Sequence, residues 1–312
     1  MNVLIVESPS KAKSINKYLG SDFKVLASVG HVRDLSAKND AIDTENDFQM
    51  KWETSDRGKK VIKEITDAAK KSENLYLATD PDREGEAIAW HVEKLLRDNS
   101  SLSKLNIHRV TFNEITKNAV LDSLKEPREI DENLVNAYLA RRALDFLVGF
   151  NLSPVLWRKL PGSKSAGRVQ SVALKIISER ELEIEKFNPE EYWSLKAIFN
   201  KDKDKEFEGR LIKIYDSKIE KLSIKEEIEA SKFLLEVEKS NYHVEEIQKK
   251  ETRRNPYAAF TTSSMQIESS RKLGFSANQT MRTAQKLYEG TEIDGEPTGL
   301  ITYMRTDSVI MS

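Results

Sequence analysis

The sequence predicts a multidomain α/β protein, and three observations carry that expectation. Short all-apolar runs alternate with amphipathic helical stretches over the first hundred residues, the order of a parallel, doubly wound sheet. Near Glu126-Pro127 the alternation stops and long helical periodicity takes over; beyond Pro189, period-two patterning appears. At 312 residues and 38% hydrophobic content, the chain has length for about two domains of roughly 150 residues and enough apolar surface for a real core.

Taken in order, Val3-Leu4-Ile5-Val6 reads as a strand covered on both faces. Ser8-Pro9 then supplies an N-cap and a first helical residue, and Gly20 stops the helix after Leu19. Phe23 to Ser28 is a second strand. Residues 38 to 56, polar and punctuated by Asn and Asp, read as a loop. Lys59 to Lys71 has helical spacing, Leu75 to Ala78 is another buried strand, and Ala87 to Leu96 is a helix. Asn133 to Phe150 reads as one helix and Gly167 to Phe187 as another. Alternation at Tyr192–Phe199, Phe207–Tyr215 and Tyr242–Ile247 suggests a β-rich arm with one helix, Lys225 to Glu238, and a charged turn over Asn200 to Glu208. From Thr261 the helical pattern returns.

Composition narrows the function classes. The absence of Cys excludes disulfides, zinc ribbons, iron–sulfur clusters and thiol nucleophiles within this stretch. No apolar run of about 18 residues exists, so no membrane span is expected. The first residues lack the basic lead and apolar core of a signal peptide, making a cytoplasmic setting the default. The net charge of −1 hides an asymmetry. Arg141–Arg180 holds eight basic and two acidic residues (+6), Glu181–Glu251 holds 14 and 19 (−5), and Thr252–Gly290 holds six and two (+4). Two basic segments around an acidic one point to a localised anionic partner, although solvated helix faces would look the same.

The densest chemistry is Asp80-Pro81-Asp82-Arg83-Glu84-Gly85-Glu86, directly after an apolar strand. Carboxylates this close repel one another, which suits a divalent cation. All the candidate ligands are oxygen, so Mg2+ fits best. Glu7 ends the other apolar strand, and ligands of open α/β sheets gather at the carboxyl ends of strands. Glu7, Asp80, Asp82 and Glu84 are therefore the candidate metal ligands; acids that merely favour a helix dipole are the competing reading. Lys11 and Lys13, on the first helix, offer a weak phosphate-binding signal.

Together these segments resemble a known family. Val6-Glu7-Ser8-Pro9-Ser10-Lys11-Ala12-Lys13, Gly30-His31-Val32-Arg33-Asp34-Leu35 and Ala78 to His91 are similar to the toprim domain of type IA DNA topoisomerases. Ala140-Arg141-Arg142-Ala143-Leu144-Asp145, Ser165 to Ser171, and Gly299 to Ser308 continue the resemblance in order, closest to the bacterial members. It implies a toprim domain at 1–128, the first part of a helical DNA-groove domain at 129–188, the first part of a β-rich arm at 189–251 and a tyrosine-bearing helical domain at 252–312, together an incomplete toroid. It also implies ATP-independent cleavage of one DNA strand through a 5′-phosphotyrosine, strand passage and religation, which relaxes negative supercoils. The lack of a Gly-x-x-x-x-Gly-Lys-Ser/Thr loop agrees with this.

By motif position, the resemblance implies Tyr303 as nucleophile and Arg305 as its charge stabiliser. It implies Glu7 as proton donor or metal ligand and Lys11 at the phosphate. His31 and Arg33 are implied near DNA. Arg141, Arg142, Asp145, Ser165, Ala166, Gly167, Arg168, Val169 and Gln170 are implied along a single-strand groove. Phe146, Asn151, Trp157 and Arg158 interleave aromatic and basic groups as strand-tracking sites do, with core packing the favoured reading of Phe146 and Trp157. The implied partner is a single-stranded segment of negatively supercoiled duplex DNA in the bacterial nucleoid, met by a monomer. The family continues well past its tyrosine, whereas this sequence stops at Ser312; a fragment is expected, and binding of single-stranded DNA without relaxation is the alternative. A different toprim enzyme, such as a primase or nuclease, would lack Gly299 to Ser308.

Overall fold

Strand β1 (Asn2–Val6) sits at the centre of the fold because every second side chain has a different core to fill. In the computed structural model, which describes residues 1–200, 205–293 and 295–310, its apolar residues are fully buried. Helix α1 (Pro9–Leu19) follows, N-capped by Ser8, whose hydroxyl accepts from the Lys11 amide, and stopped at Gly20, which takes a positive φ (67°) open to glycine. Strand β2 (Phe23–Ala27) returns parallel to β1.

The segment expected as a loop is in part built of short antiparallel ribbons. Strand β3 (Arg33–Leu35) and β4 (Ile42–Asp43) are followed by β5 (Gln49–Met50) and β6 (Trp52–Thr54), with β3 paired to β6 and β4 to β5. Asp47 and Phe48 turn the chain at positive φ (48° and 55°). Two- and three-residue strands carry too little periodicity to stand out from a polar loop.

Helix α2 (Asp56–Ala69), strand β7 (Asn74–Leu77), helix α3 (Arg83–Arg97), strand β8 (Asn106–Arg109) and helix α4 (Lys117–Ser123) complete the layer. The sheet order is β2-β1-β7-β8, all parallel. Val3 and Ile5 pack with Ile65, Ala68, Val92 and Leu96 of α2 and α3 on one face. Leu4 and Val6 pack with Ile15 and Val120 of α1 and α4 on the other, together with Tyr288, Tyr303 and Met304 from the far end of the chain. Elements β8 and α4 were not expected; β8 carries one apolar residue, Ile107, and gave no strand signal.

Helix α5 (Glu132–Lys159) is 28 residues long and passes through Pro154, beyond the end expected at Phe150. A proline forfeits an intrahelical amide bond. The last turns are held from outside instead. Ser153 Oγ accepts from the Ala166 amide at 3.1 Å, and Trp157 Nε1 donates to the Lys164 carbonyl at 2.6 Å.

The chain packs as two units, Met1–Arg168 with Pro256–Ser312, and Val169–Asn255. Helix α6 (Arg168–Lys186), strands β9 (Lys196–Asn200), β10 (Glu206–Arg210), β11 (Lys213–Ile214) and β12 (Ser217–Lys218), and helix α7 (Glu227–Glu238) follow. The pairs β9–β10 and β11–β12 are antiparallel hairpins. Residues 201–204 of the expected charged turn lie outside the described residues. The strand expected from Tyr192 begins only at Lys196, and Phe207–Tyr215 is split in two. Tyr242–Ile247 forms no strand: a strand needs a neighbour for its amides, and none among the described residues pairs with it. Helices α8 (Thr262–Leu273) and α9 (Ala277–Glu289) and the hairpin of β13 (Thr291–Ile293) and β14 (Glu296–Thr298) return the chain to the first unit.

Candidate active site

The acid loop is built at the carboxyl end of β7 and held from beneath by a buried arginine. Arg109, 1% exposed, donates to the carbonyls of Leu77, Thr79, Asp80 and Val110 at 2.6–2.9 Å and to Glu86 Oε2 at 3.0 Å. Glu86 also accepts from Arg128 at 2.7 and 2.8 Å and from the Asp131 amide at 2.7 Å. A buried charge is tolerated only when paired and hydrogen-bonded like this. Thr79 Oγ1 donates to the Gly85 carbonyl at 2.6 Å, and a Cβ on Gly85 would lie 2.1 Å from the Asp80 carbonyl oxygen. Only glycine allows that approach.

Glu7 lies just beyond β1, and its Oε1 accepts from the Asp80 amide at 2.7 Å. The Lys11 ammonium, 1% exposed, pairs with Asp80 Oδ1 and stands 3.8 Å from Glu7 Oε2. Burial raises the Glu7 carboxyl from the ordinary 4.5 to about 7, Lys11 opposing and Asp80 adding to the shift. Asp82 N-caps α3, its Oδ1 accepting from the Gly85 amide at 2.8 Å. Its other oxygen, Oδ2, accepts from the Tyr303 hydroxyl at 2.6 Å. Arg305 Nη1 is 2.7 Å from Glu84 Oε2 and 3.5 Å from Asp82 Oδ2. Burial pushes the Tyr303 phenol above its ordinary value, and Asp80 and Asp82 push it further. The phenol here points its hydroxyl at the Asp82 carboxylate.

Two closures hold the tyrosine segment against the sheet end. The Tyr303 amide donates to the Asn113 carbonyl at 2.7 Å, and Gly299 passes so close that a Cβ would lie 3.0 Å from the carbonyls of Ile115 and Tyr288. Ser8 Oγ donates to Glu289 Oε1 at 3.0 Å, joining the ends of the two helices. The sequence-predicted Glu7, Lys11, Asp80, Asp82, Glu84, Tyr303 and Arg305 thus come together, across 221 positions between Asp82 and Tyr303.

The donor oxygens suit a hard cation in kind. In the described arrangement, however, Lys11, Tyr303 and Arg305 occupy these carboxylates. Among the described residues no three His, Asp or Glu side chains form a ligand group.

A second cluster adjoins the start of α3. His31, Asp34, Arg83, Glu84, Tyr138, Arg141, Arg142 and Asp145 line a cavity of about 270 Å³. The Gly30 amide donates to the Glu7 carbonyl at 3.2 Å, which ties the His31 loop to the site, and His31 stacks on Tyr138 at 5.3 Å. Arg142 pairs with Asp34 at 2.9 Å. Arg141 stands 3.7 Å from Asp145, whose closer partner is Arg168 at 2.7 Å. Arg33 Nε donates to His91 Nδ1 at 2.6 Å, and the guanidinium faces Trp52 and Trp90 at 5.7 and 5.2 Å.

The remaining candidates scatter. Phe146 packs with Leu35, Ala41 and Ile42 and stacks on Phe150 at 4.2 Å, which bears out core packing. Core packing fails for Trp157, 54% exposed, whose indole is turned outward to reach the Lys164 carbonyl. Asn151 is exposed, and Arg158 bonds its own helix at the Pro154 carbonyl, 3.3 Å away. Ala166 meets Ser153, while Val169 and Gln170 lie exposed on α6, and in the segment before it Ser165 is exposed and Gly167 half-buried. Sequence reasoning missed Arg109 and Tyr288, which have no partner nearby in sequence to announce them, and read Glu86 only as part of the acid run, not as the buried partner of Arg109.

The family model described as DNA topoisomerase matches residues 129–312, and that of the toprim domain matches residues 2–115. The chain belongs to the DNA topoisomerase family, on its type IA branch. The DNA topoisomerase 1 of Rickettsia felis is 53% identical over 313 residues, covering 100% of this chain and 40% of that protein. The DNA topoisomerase 1 of Zymomonas mobilis is 53% identical over 311 residues, covering 100% of this chain and 25% of that protein. The solved structure of full-length topoisomerase I from Thermotoga maritima superimposes with a TM-score of 0.83 at 40% identity, covering 99% of this chain and 50% of that one. This topoisomerase-family chain therefore spans half or less of each of these relatives. Among its described residues no helix is long and apolar enough to cross a membrane.

Proposed function

We propose that the chain carries out strand cleavage and rejoining of the type IA kind on a single-stranded segment of negatively supercoiled DNA, without ATP. The observation that carries this reading is the 2.6 Å hydrogen bond from Tyr303 to Asp82, made beside Glu7, Lys11 and Arg305. The Tyr303 oxygen attacks the scissile phosphorus and its proton passes to Asp82. The bond to the 3′ oxygen breaks, and that oxygen takes a proton from Glu7, which holds one near pH 7. The new phosphotyrosine keeps the bond energy, so the 3′ hydroxyl can reverse the step. Lys11 and Arg305 bear the developing charge on the phosphate.

Once a phosphate draws Lys11 and Arg305 away, Asp80, Asp82 and Glu84 would hold Mg2+, which when bound supplies neutralisation of phosphate charge, chiefly for religation. The cavity of His31, Arg141 and Asp145 receives the strand, with Arg33, Arg142, Arg168 and the neighbouring 165–170 segment along its path. The four-part division at 128, 188 and 251 and a monomer in the nucleoid belong to the same reading.

The test is a covalent adduct. Single-stranded DNA labelled at its 3′ end should stay attached to the protein after denaturation, because the tyrosine holds the 5′ phosphate. Tyr303→Phe should remove the adduct. A label attached equally in the variant, or no adduct from the unsubstituted chain, would reject the mechanism.

A further inference from the structure

One fully buried side chain touches two groups of the proposed chemistry and has no part in it so far. Tyr288, at the end of α9, is 0% exposed. Its ring meets that of Tyr303 edge-on, with centroids 5.2 Å apart and planes at 62°. The Lys11 ammonium stands 5.3 Å from the same ring centroid. The Tyr288 hydroxyl makes a long bond, 3.4 Å, to the Phe112 carbonyl and faces the Asp80 carboxylate. Its backbone is fixed on both sides: the Leu300 amide donates to Leu287 at 2.8 Å, and Ser14 Oγ to Glu289 at 3.3 Å.

We propose that Tyr288 is a positioning residue for strand cleavage, its ring holding the Lys11 ammonium over its face and packing edge-on with the ring of Tyr303. The inference rests on the reading of Tyr303 and Lys11 above. The argument is one of charge. A buried ammonium needs a partner, and a carboxylate partner cancels the charge that a phosphate would meet. An aromatic face attracts the ammonium through its quadrupole yet carries no net charge. When an incoming phosphate draws Lys11 from Asp80, the ring can still orient it. The edge-on contact restricts the Tyr303 ring in the same way, so one rigid side chain sets the relation between nucleophile and cation. This role belongs to the ring rather than to the hydroxyl that faces Phe112 and Asp80.

The test separates ring electronics from shape. Position 288 is filled in turn with phenylalanine, 4-fluorophenylalanine and 3,4,5-trifluorophenylalanine, which differ little in size but progressively lose electron density at the face. The rate of covalent adduct formation on 3′-labelled single-stranded DNA should stay within about twofold for Tyr288→Phe and fall stepwise to about tenfold lower for the trifluoro ring. Affinity for the same DNA in a Tyr303→Phe background, and the thermal midpoint, should stay level across the series. Equal rates throughout would overturn the inference, as would a loss already complete in Tyr288→Phe. An unsubstituted chain that forms no adduct would overturn the Tyr303 reading and this inference with it, whereas a normal adduct with a flat series overturns this inference alone.

Discussion

The two units of the chain have a similar share of apolar residues and put them to different ends. In Met1–Arg168 with Pro256–Ser312, β1 is buried on both faces and β7 on one, and charged groups as large as Arg109 and Lys11 are enclosed. In Val169–Asn255 only Ile224 and Ala230 are buried among the described residues. Helix α6 exposes Val172, Leu174, Ile176 and Ile177 at 55–67%. The difference teaches that periodicity reports a helix or strand but not what covers it. A residue's energetic weight depends on neighbours that the local pattern does not name.

The comparison can be broken most directly at Arg109. Arg109→Met should destabilise the first unit by about 4 kcal/mol in chemical unfolding, because Glu86 loses a buried partner. Adding Glu86→Leu should recover part of that loss; no recovery would mean that the carbonyl bonds, not the ion pair, carry the effect. Gly85→Ala comes next, at about 3 kcal/mol, since its methyl group meets the Asp80 carbonyl. An unfolding midpoint equal to that of the parent would show that the acid loop can yield, contrary to the rigid cradle described for it.

His91 offers a smaller effect that depends on pH. Burial, with Arg33 adding, lowers its pKa from 6.5 to about 3. The folded protein keeps the imidazole neutral while the unfolded chain binds a proton below pH 6.5, so folding stability falls as the pH drops through that range. Between pH 6.5 and 5 this amounts to about 2 kcal/mol. The His91→Gln variant should lack this slope, measured as the difference from the parent, which removes the opposing contribution of Glu7. Identical slopes would place His91 in a wetter environment than its full burial indicates.

The smallest effect sharpens the contrast. Ile177→Ala on α6 should change stability by less than about 0.5 kcal/mol, as its side chain is 64% exposed. A loss of about 2 kcal/mol or more would reveal that the α6 face is covered in solution, and the comparison between the units would collapse.

Much of the fold was legible in the residues. The all-apolar Val3–Val6 and the Ser8-Pro9 start need only local chemistry, and both elements appear where expected. The acid loop was legible as well, because four carboxylates after a buried strand have few structural explanations. Strand β8 and the β3–β6 ribbons were not, being too short or too polar to show a period. Trp157 was misread because an aromatic residue at helical spacing suggests a core, whereas its indole follows a carbonyl outward.

Local pattern, then, was enough for the doubly wound sheet, the acid loop and the family motifs, since strand burial, helix capping and charge spacing are settled within a few residues. It took the packed chain to bring Tyr303 to Asp82, to give Lys11 both Asp80 and the Tyr288 ring, and to enclose Arg109 beneath the loop. These are contacts between groups up to hundreds of residues apart. Their strength comes from exclusion of water, a property of the assembled core that no single segment possesses.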